Sequence, residues 1–298
     1  MKKSRSAIAL LITIMFVIVI TVAIGVGLKQ VNSATAEVKN EKFMYQSSLL
    51  IEDVLVILAK NKNLKAIVDK ESTEGMFLFL SQAAFIPFEY SGLNILLSVK
   101  SARSKFNVND LNEYRINAMK EYVESHGVNS VYIDMLFDAT SGIKVDNSYN
   151  TNIFDEKPYL FRDYLASAKH LKKINDFYKR EYNENSLKNI HINNLLYFTS
   201  ESNTSMDLNY ITPEVWEMML GVTKERAQEL SYGAGSYKKL DDINLNSGER
   251  FKLSKFNTSF FQPHILVSIE IMQNKSESKI IFEYDIKSKK GSNFVYEI

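Results

Sequence analysis

The sequence contains no cysteine. Disulfides, thiolate metal sites and cysteine nucleophiles are therefore excluded. Histidine is scarce: His126, His170, His191 and His264 fall in no HxxxH or HExxH spacing, which argues against a histidine-rich metal site. An excess of either charge is missing too. Lys+Arg 36 against Asp+Glu 35 leaves a formal net charge of +1, so no basic field marks the chain for nucleic acid. There is no GxSxG, no glycine-rich phosphate loop and no paired-carboxylate spacing, so nothing in the pattern points to an enzyme. With Gly 11, Pro 4, 45% hydrophobic and 24% charged residues, the composition is that of a globular chain rather than a disordered one. A length of 298 residues fits roughly two domains.

What the chain does have begins at the N-terminus. Met1 to Ser6 carries Lys2, Lys3 and Arg5 and no acid, and the 22 residues from Ala7 to Leu28 carry no charge. As a helix that run spans about 33 Å, enough to cross a bilayer core. The basic head would stay in the cytoplasm and the bulk of the chain would lie outside it, which agrees with the lack of cysteine. Three readings compete. Ala34-Thr35-Ala36 has the form of a signal-peptidase site, although the apolar run exceeds the usual signal core of about 7–15 residues. The others are a plain single-pass anchor and a prepilin-type leader. The helical pattern continues past the membrane: no proline or glycine interrupts Val31 to Lys60, and Val31, Ala34, Val38, Phe43, Leu50, Val54, Ile57 and Leu58 recur near helical spacing. One helix of about fifty residues, half in lipid and half packed on a domain, is the simplest account.

Beyond it, Phe77 to Leu80, Phe85 to Phe88 and Leu93 to Val99 read as short extended runs. At the far end Ile265, Val267, Ile269 and Ile271 alternate with Leu266, Ser268 and Glu270. Ile280, Phe282, Tyr284 and Ile286 alternate with Ile281, Glu283, Asp285 and Lys287, and Phe294 to Tyr296 closes the chain. This predicts an antiparallel meander with one buried face. The middle reads as helical over Asp110–Glu124, Ser130–Phe137, Tyr159–Tyr182, Pro213–Leu220 and Lys224–Tyr232. The fold class expected is α+β: a long N-terminal transmembrane helix packed on a small antiparallel sheet, with a large all-α insertion. Its boundaries are a leader over 1–6, a transmembrane helix over 7–28, a core from 29–108 and 248–298, and an insertion over 109–247.

Within the insertion, Thr212 caps a helix, Pro213 takes its first position, Gly221 and Val222 make a turn, and Thr223 caps a second helix. This is a helix-hairpin-helix-like pattern, an arrangement that often holds DNA phosphates on turn amides. Here the turn has a single glycine, and Ile211 to Ile243 holds Glu214, Glu217, Glu225, Glu229, Asp241 and Asp242 against four bases. Net negative charge repels phosphate, so a structural or protein-binding role is favoured and direct nucleic-acid contact is not.

In order along the chain, the leader with its long helix, Lys105-Phe106-Asn107-Val108-Asn109-Asp110-Leu111, Tyr164 to Ser167 with His170-Leu171, Asp207 to Val215, and the strand pair after Ser259-Phe260-Phe261 make the sequence resemble the K-type minor pseudopilin of type II secretion, the general secretion pathway protein K family. The resemblance implies a non-enzymatic subunit at the tip of a pseudopilus, nucleating its assembly and contacting secreted substrate or the outer-membrane channel. Its implied partners are the other minor pseudopilins, the major pseudopilin, prepilin peptidase and the inner membrane, with one span and the bulk in the periplasm. Peptidase would cut between Ser6 and Ala7, where the family normally has glycine before the cut. The fifth mature residue is then Leu11, and the K-type subunit is the family's exception in lacking glutamate there. A carboxylate in lipid costs a few kcal/mol unless paired, so a subunit with none above it gains from leucine. The family's usual ion is calcium, and Asp138, Asp146, Asp155 and Glu156 are oxygen donors of the right kind near one loop, although the residues themselves favour a solvated polar loop over a site. The alternatives are the equivalent subunit of a DNA-uptake or type IV pilus-like machine, and a periplasmic domain on an ordinary anchor. Glu201-Ser202-Asn203-Thr204-Ser205 also fits a bacterial N-glycan acceptor pattern.

Overall fold

A computed structural model describes residues 36–90, 93–182, 185–201, 203–273 and 276–297. The expected leader and span over 1–28 lie outside these residues; among those described, no helix is long and apolar enough to cross a membrane. The described residues divide into two compact units, those within 1–102 together with 263–298, and those within 103–262.

In the first unit, α1 (Ala36–Lys60) is helical over the described part of the stretch expected to be one long helix. Leu50, Ile51, Val54 and Leu58 form its buried stripe. Asn61 then caps α2 (Lys62–Asp69) by accepting hydrogen bonds from the amides of Asn63 and Leu64. Ser72 caps α3 (Thr73–Ala83), accepting from the Gly75 amide at 3.1 Å. This corrects the extended reading of Phe77 to Leu80. The cap starts a helix, and Met76, Phe79, Leu80 and Ala83 bury a face at spacings of three and four that a strand cannot present.

The strands β1 (Ile86–Tyr90) and β2 (Leu93–Ser101) join three from the C-terminal end, β7 (His264–Gln273), β8 (Ser276–Asp285) and β9 (Lys290–Glu297). They form one antiparallel sheet in the order β1-β2-β7-β8-β9, the meander that the alternation predicts. Val99, Val267 and Phe282 lie opposite one another across three strands, as do Leu97, Ile269 and Ile280, and all six are buried. The alternate positions carry Glu270 and Lys279, ion-paired at 2.5 Å across the β7–β8 ladder. On β9, a Cβ at Gly291 would stand 3.0 Å from Leu55 Cδ2 and 2.8 Å from Phe294, so glycine lets α1 approach the strand.

The second unit leaves β2 and returns at β7, which are neighbours: Ser101 is the register partner of Ile265. Its bounds correct the expected insertion of 109–247. Phe106, Val108, Leu253 and Phe256 belong to its core, so residues 103–108 and 248–262 go with it. It is also not all-α. The strand β3 (Phe106–Asn107) pairs in parallel with β4 (Leu196–Tyr197), and β5 (Met206–Asp207) with β6 (Thr258–Ser259). The helices are α4 (Glu113–Ser125), α5 (Val131–Thr140), α6 (Ile153–Glu156), α7 (Ala168–Glu181), α8 (Ile192–Leu195), α9 (Pro213–Leu220), α10 (Lys224–Ser231) and α11 (Ser247–Leu253). The helix expected over Tyr159–Tyr182 is only α7, because Ser167 caps at His170 and Leu165 before it is held by a side chain instead.

That side chain is Asn109. Its Oδ1 accepts the Leu165 amide at 2.6 Å while its Nδ2 donates to the carbonyls of Leu165 and Thr199 at 3.0 and 2.9 Å. Asn209 repeats the arrangement: its Oδ1 accepts the Tyr237 amide at 2.9 Å, and its Nδ2 donates to the carbonyls of Tyr237 and Phe260 at 3.0 and 2.8 Å. Each amide serves as one residue of an extra strand. Replacing either by alanine leaves a buried N–H and two carbonyls without partners, at about 1–3 kcal/mol per orphaned group. N109A and N209A are expected to lower the stability of this unit by about 2–5 kcal/mol. Trp216, the single tryptophan, lies fully buried in the unit, so its fluorescence during urea unfolding provides the measurement.

Candidate functional site

The positions singled out in the sequence fall into three groups. Ser6, Ala7 and Leu11 lie outside the described residues. Pro213, Gly221 and Val222 lie together in the α9–α10 element. Thr212 accepts from the Val215 amide, Pro213 starts α9, and Gly221 ends it at φ 61 in the left-handed region. A Cβ there would also stand 2.8 Å from Lys252 Nζ, which donates to the Leu220 carbonyl at 2.9 Å. The Lys252 ammonium on α11 thus sits at the C-terminal end of α9, where the helix dipole favours a cation. Thr223 then caps α10.

This element is packed for structure. Val215, Trp216, Met218, Met219, Leu220, Ala227 and Leu230 are all buried in the core of the second unit. Its acids are largely engaged: Glu217 lies 3.5 Å from His126, Glu229 pairs with Arg226 at 2.8 Å, and Asp241 pairs with Arg250 at 2.9 Å. Asp242 accepts the amides of Lys238 and Lys239, and those bonds hold its carboxyl below the usual range. Burial raises the Glu217 carboxyl. The acids of this element are thus mostly paired inside the unit, and their negative charge disfavours a phosphate at the turn.

The four candidate calcium donors are not brought together. Asp138 is fully buried, and each of its oxygens accepts two hydrogen bonds, Oδ1 from the amide and side chain of Asn150 and Oδ2 from the amide and side chain of Thr151, all at 2.8–2.9 Å. Asp146 accepts from the amide and hydroxyl of Ser148, Asp155 accepts from Asn147 Nδ2 at 3.2 Å, and Glu156 pairs with Arg180 at 2.7 Å. Among the described residues no three His, Asp or Glu side chains form a metal-binding group. The residues do not fit calcium: the loop is fastened by donors from its own chain. Between residues 156–160 and α7 there is a cavity of about 760 Å³, bordered by Lys157, Tyr159, Lys173, Phe177 and the Glu156–Arg180 pair. Its mixed charges around an exposed tyrosine suit contact with another protein.

The buried charges have no signature in the sequence pattern. Arg103 donates to the Tyr197 hydroxyl and pairs with Glu201, and Arg115 pairs with Asp110 at 2.7 Å. Asp207 is buried too, accepting the amides of Asn209 and Gln262 at 3.0 and 2.9 Å. No spacing rule separates these from surface charges, since only the fold decides which are covered.

Two expectations follow. Burial raises the Asp207 carboxyl from 3.8 to about 7, against the pull of its amide donors. The native state then keeps a proton between about pH 4 and 7 that the unfolded chain releases. Its stabilisation is complete below the unfolded value and is lost as pH rises through about 7, with a slope of up to about 1.4 kcal/mol per pH unit. Urea unfolding of the wild type is expected to show this slope, and that of D207N to lack it. Second, D138A is expected to lower stability by about 3 kcal/mol, since four donors lose a charged acceptor. Added calcium or a chelator should leave the wild-type unfolding midpoint where it is.

No protein-family model matches the sequence, and no curated protein matches it. Among solved structures, a chain of the GspK-GspI-GspJ complex from the enterotoxigenic Escherichia coli type 2 secretion system is similar, with a TM-score of 0.52 at 12% identity, covering 87% of this chain and 97% of that one. The described chain thus shares the fold of that chain, with a large, mainly helical unit inserted in the sequence between β2 and β7, two paired strands of an antiparallel sheet.

Proposed function

We propose that the protein is a minor pseudopilin of a type II secretion machine, acting at the tip of its pseudopilus to start assembly and to contact substrate or the outer-membrane channel. The observation that carries this reading is the fold, whose likeness extends over both units. The sequence adds a short basic head and an uncharged 22-residue run, and residues Ala36–Lys60 downstream of it are helical. In this reading the N-terminal run anchors the protein in the inner membrane, prepilin peptidase releases Ala7, and the bulk lies in the periplasm. Leu11 suits a subunit with no neighbour above it, because it leaves no carboxylate in lipid to be paired. The solved relative is part of a complex with GspI and GspJ, and subunits of those kinds are the partners expected here. The negative charge of the α9–α10 element argues against a phosphate partner. The bulk of the second unit would hinder repeated stacking in a thin filament, which also favours a single copy at an end.

The test is the mass of the native protein's N-terminal peptide, with and without prepilin peptidase. A peptide beginning at Ala7 only when the peptidase is present is the expected result. A start at Met1 in both strains, or at Glu37, would leave an anchored or a secreted domain and remove the tip mechanism. A deletion strain is expected to lose exoprotein secretion, whereas loss of transformation with secretion intact would assign the same part to DNA uptake.

A further inference from the structure

Three Asn-x-Ser tripeptides occur in the chain, at Asn203, Asn257 and Asn274. The residue two positions before each differs: Glu201, Lys255 and Met272. Asn274 lies outside the described residues, and the other two have opposite surroundings. The amide of Asn257 is in use, donating to the Asn203 carbonyl at 2.6 Å, and the two residues after it form β6. Asn203 is exposed at a turn between β4 and β5, with φ 57. Among the described residues its side-chain amide makes no hydrogen bond. Left-handed backbone at a non-glycine residue is uncommon and places Asn203 at the tip of a turn rather than in a ladder.

The ground on either side of that tip is fixed. Asn107 Nδ2 donates to the Glu201 carbonyl at 3.0 Å, and the Met206 amide donates to the Asn257 carbonyl at 2.9 Å. Glu201 keeps 64% of its side chain exposed while pairing with Arg103 at 3.3 Å, so its carboxylate remains open to a second cation. An exposed carboxylate, an unengaged amide and a hydroxyl, each two residues apart, are what a bacterial-type oligosaccharyltransferase requires of an acceptor.

We propose that Asn203 is an N-glycan acceptor, with a polyisoprenyl diphosphate-linked oligosaccharide as the donor. In the transfer, Asn203 Nδ2 forms a bond to the sugar's anomeric carbon and loses one proton to solvent. The bond from that carbon to the diphosphate oxygen breaks, and polyisoprenyl diphosphate leaves with both electrons. Glu201 holds the acceptor by charge and Ser205 by its hydroxyl. In the cell the modification rests on the periplasmic location proposed above, because such enzymes act on that face of the membrane.

The test separates the two. The purified full chain in detergent is incubated with purified bacterial oligosaccharyltransferase and the lipid-linked oligosaccharide, folded and after unfolding in urea, and its peptides are weighed. One added glycan on the folded chain at Asn203 is expected, with loss in N203Q, E201Q and S205A. A glycan on Asn257 instead, modification of the unfolded chain alone, or no modification of either form overturns the proposal. The same chain is then co-expressed with the enzyme in cells. Modification in vitro but not in cells, with an alkaline phosphatase fusion inactive, would refute the proposed location and leave the acceptor assignment standing.

Discussion

The second unit depends on side-chain amides that take the place of strands. Its helices meet at loops whose backbone groups are buried, and a buried N–H or carbonyl without a partner costs about as much as a lost hydrogen bond. The two parallel pairs, β3 with β4 and β5 with β6, are only two residues long each and cannot satisfy those groups. Each pair is followed by the same device. In Phe106-Asn107-Val108-Asn109 and in Met206-Asp207-Leu208-Asn209, the apolar residues are buried, the first polar side chain accepts the amide of the asparagine two residues on, and that asparagine clasps a distant chain. Asn109 clasps Leu165, and Asn209 clasps Tyr237. Both clasps span long sequence separations, so they fix which loops meet, a matter on which helix packing alone is permissive.

Asn107 and Asp207 occupy equivalent places with different consequences. Asn107 can both accept the Thr199 amide and donate to the Glu201 carbonyl. Asp207 is the acceptor in both of its bonds to backbone amides, Oδ1 taking that of Asn209 and Oδ2 that of Gln262, the last residue of the unit. The cost of that choice is a titratable group in a dry place, which makes the closing bond of the unit sensitive to pH near neutrality. Asp138 shows the other way to bury a carboxylate: four donors from Asn150 and Thr151 replace the water, and the loop needs no ion to hold its course.

What could be read from the sequence follows from how local each signal is. The alternation of Ile265 to Ile271 and Ile280 to Ile286 specifies β7 and β8 because each strand buries one face of one sheet, and period two records that directly. Thr212-Pro213 and Gly221 mark both ends of α9 because caps are properties of a few neighbouring residues. Phe77 to Leu80 misled because four apolar residues in a row fit either period, and the deciding residue, Ser72, stands outside the run. The candidate calcium set misled for a related reason. Carboxylates close in sequence are visible as donors, but the partners that exhaust Asp138 are visible only once the loop has folded back. The polar motifs at Asn107-Asn109 and Asp207-Asn209 were readable as a resemblance, while their physical task was not, since Leu165 and Tyr237 are far away in the chain.

The position of the second unit explains how so large an addition leaves the sheet undisturbed. Ser101 and Ile265 are register partners, and the Ala102 amide donates to the His264 carbonyl at 3.0 Å. The chain therefore departs and returns across one rung of an antiparallel ladder. The register of β2 on β7 is set by Ile95, Leu97 and Val99 against Ile271, Ile269 and Val267, all on the buried face, and a slip of one residue would expose the whole set. Loop-closure cost rises only with the logarithm of length, and the returning segment is already closed by its own core. The sheet thus specifies its own pairing whatever lies between residues 103 and 262, and the inserted unit is free to vary in its surface without changing the strands that hold it.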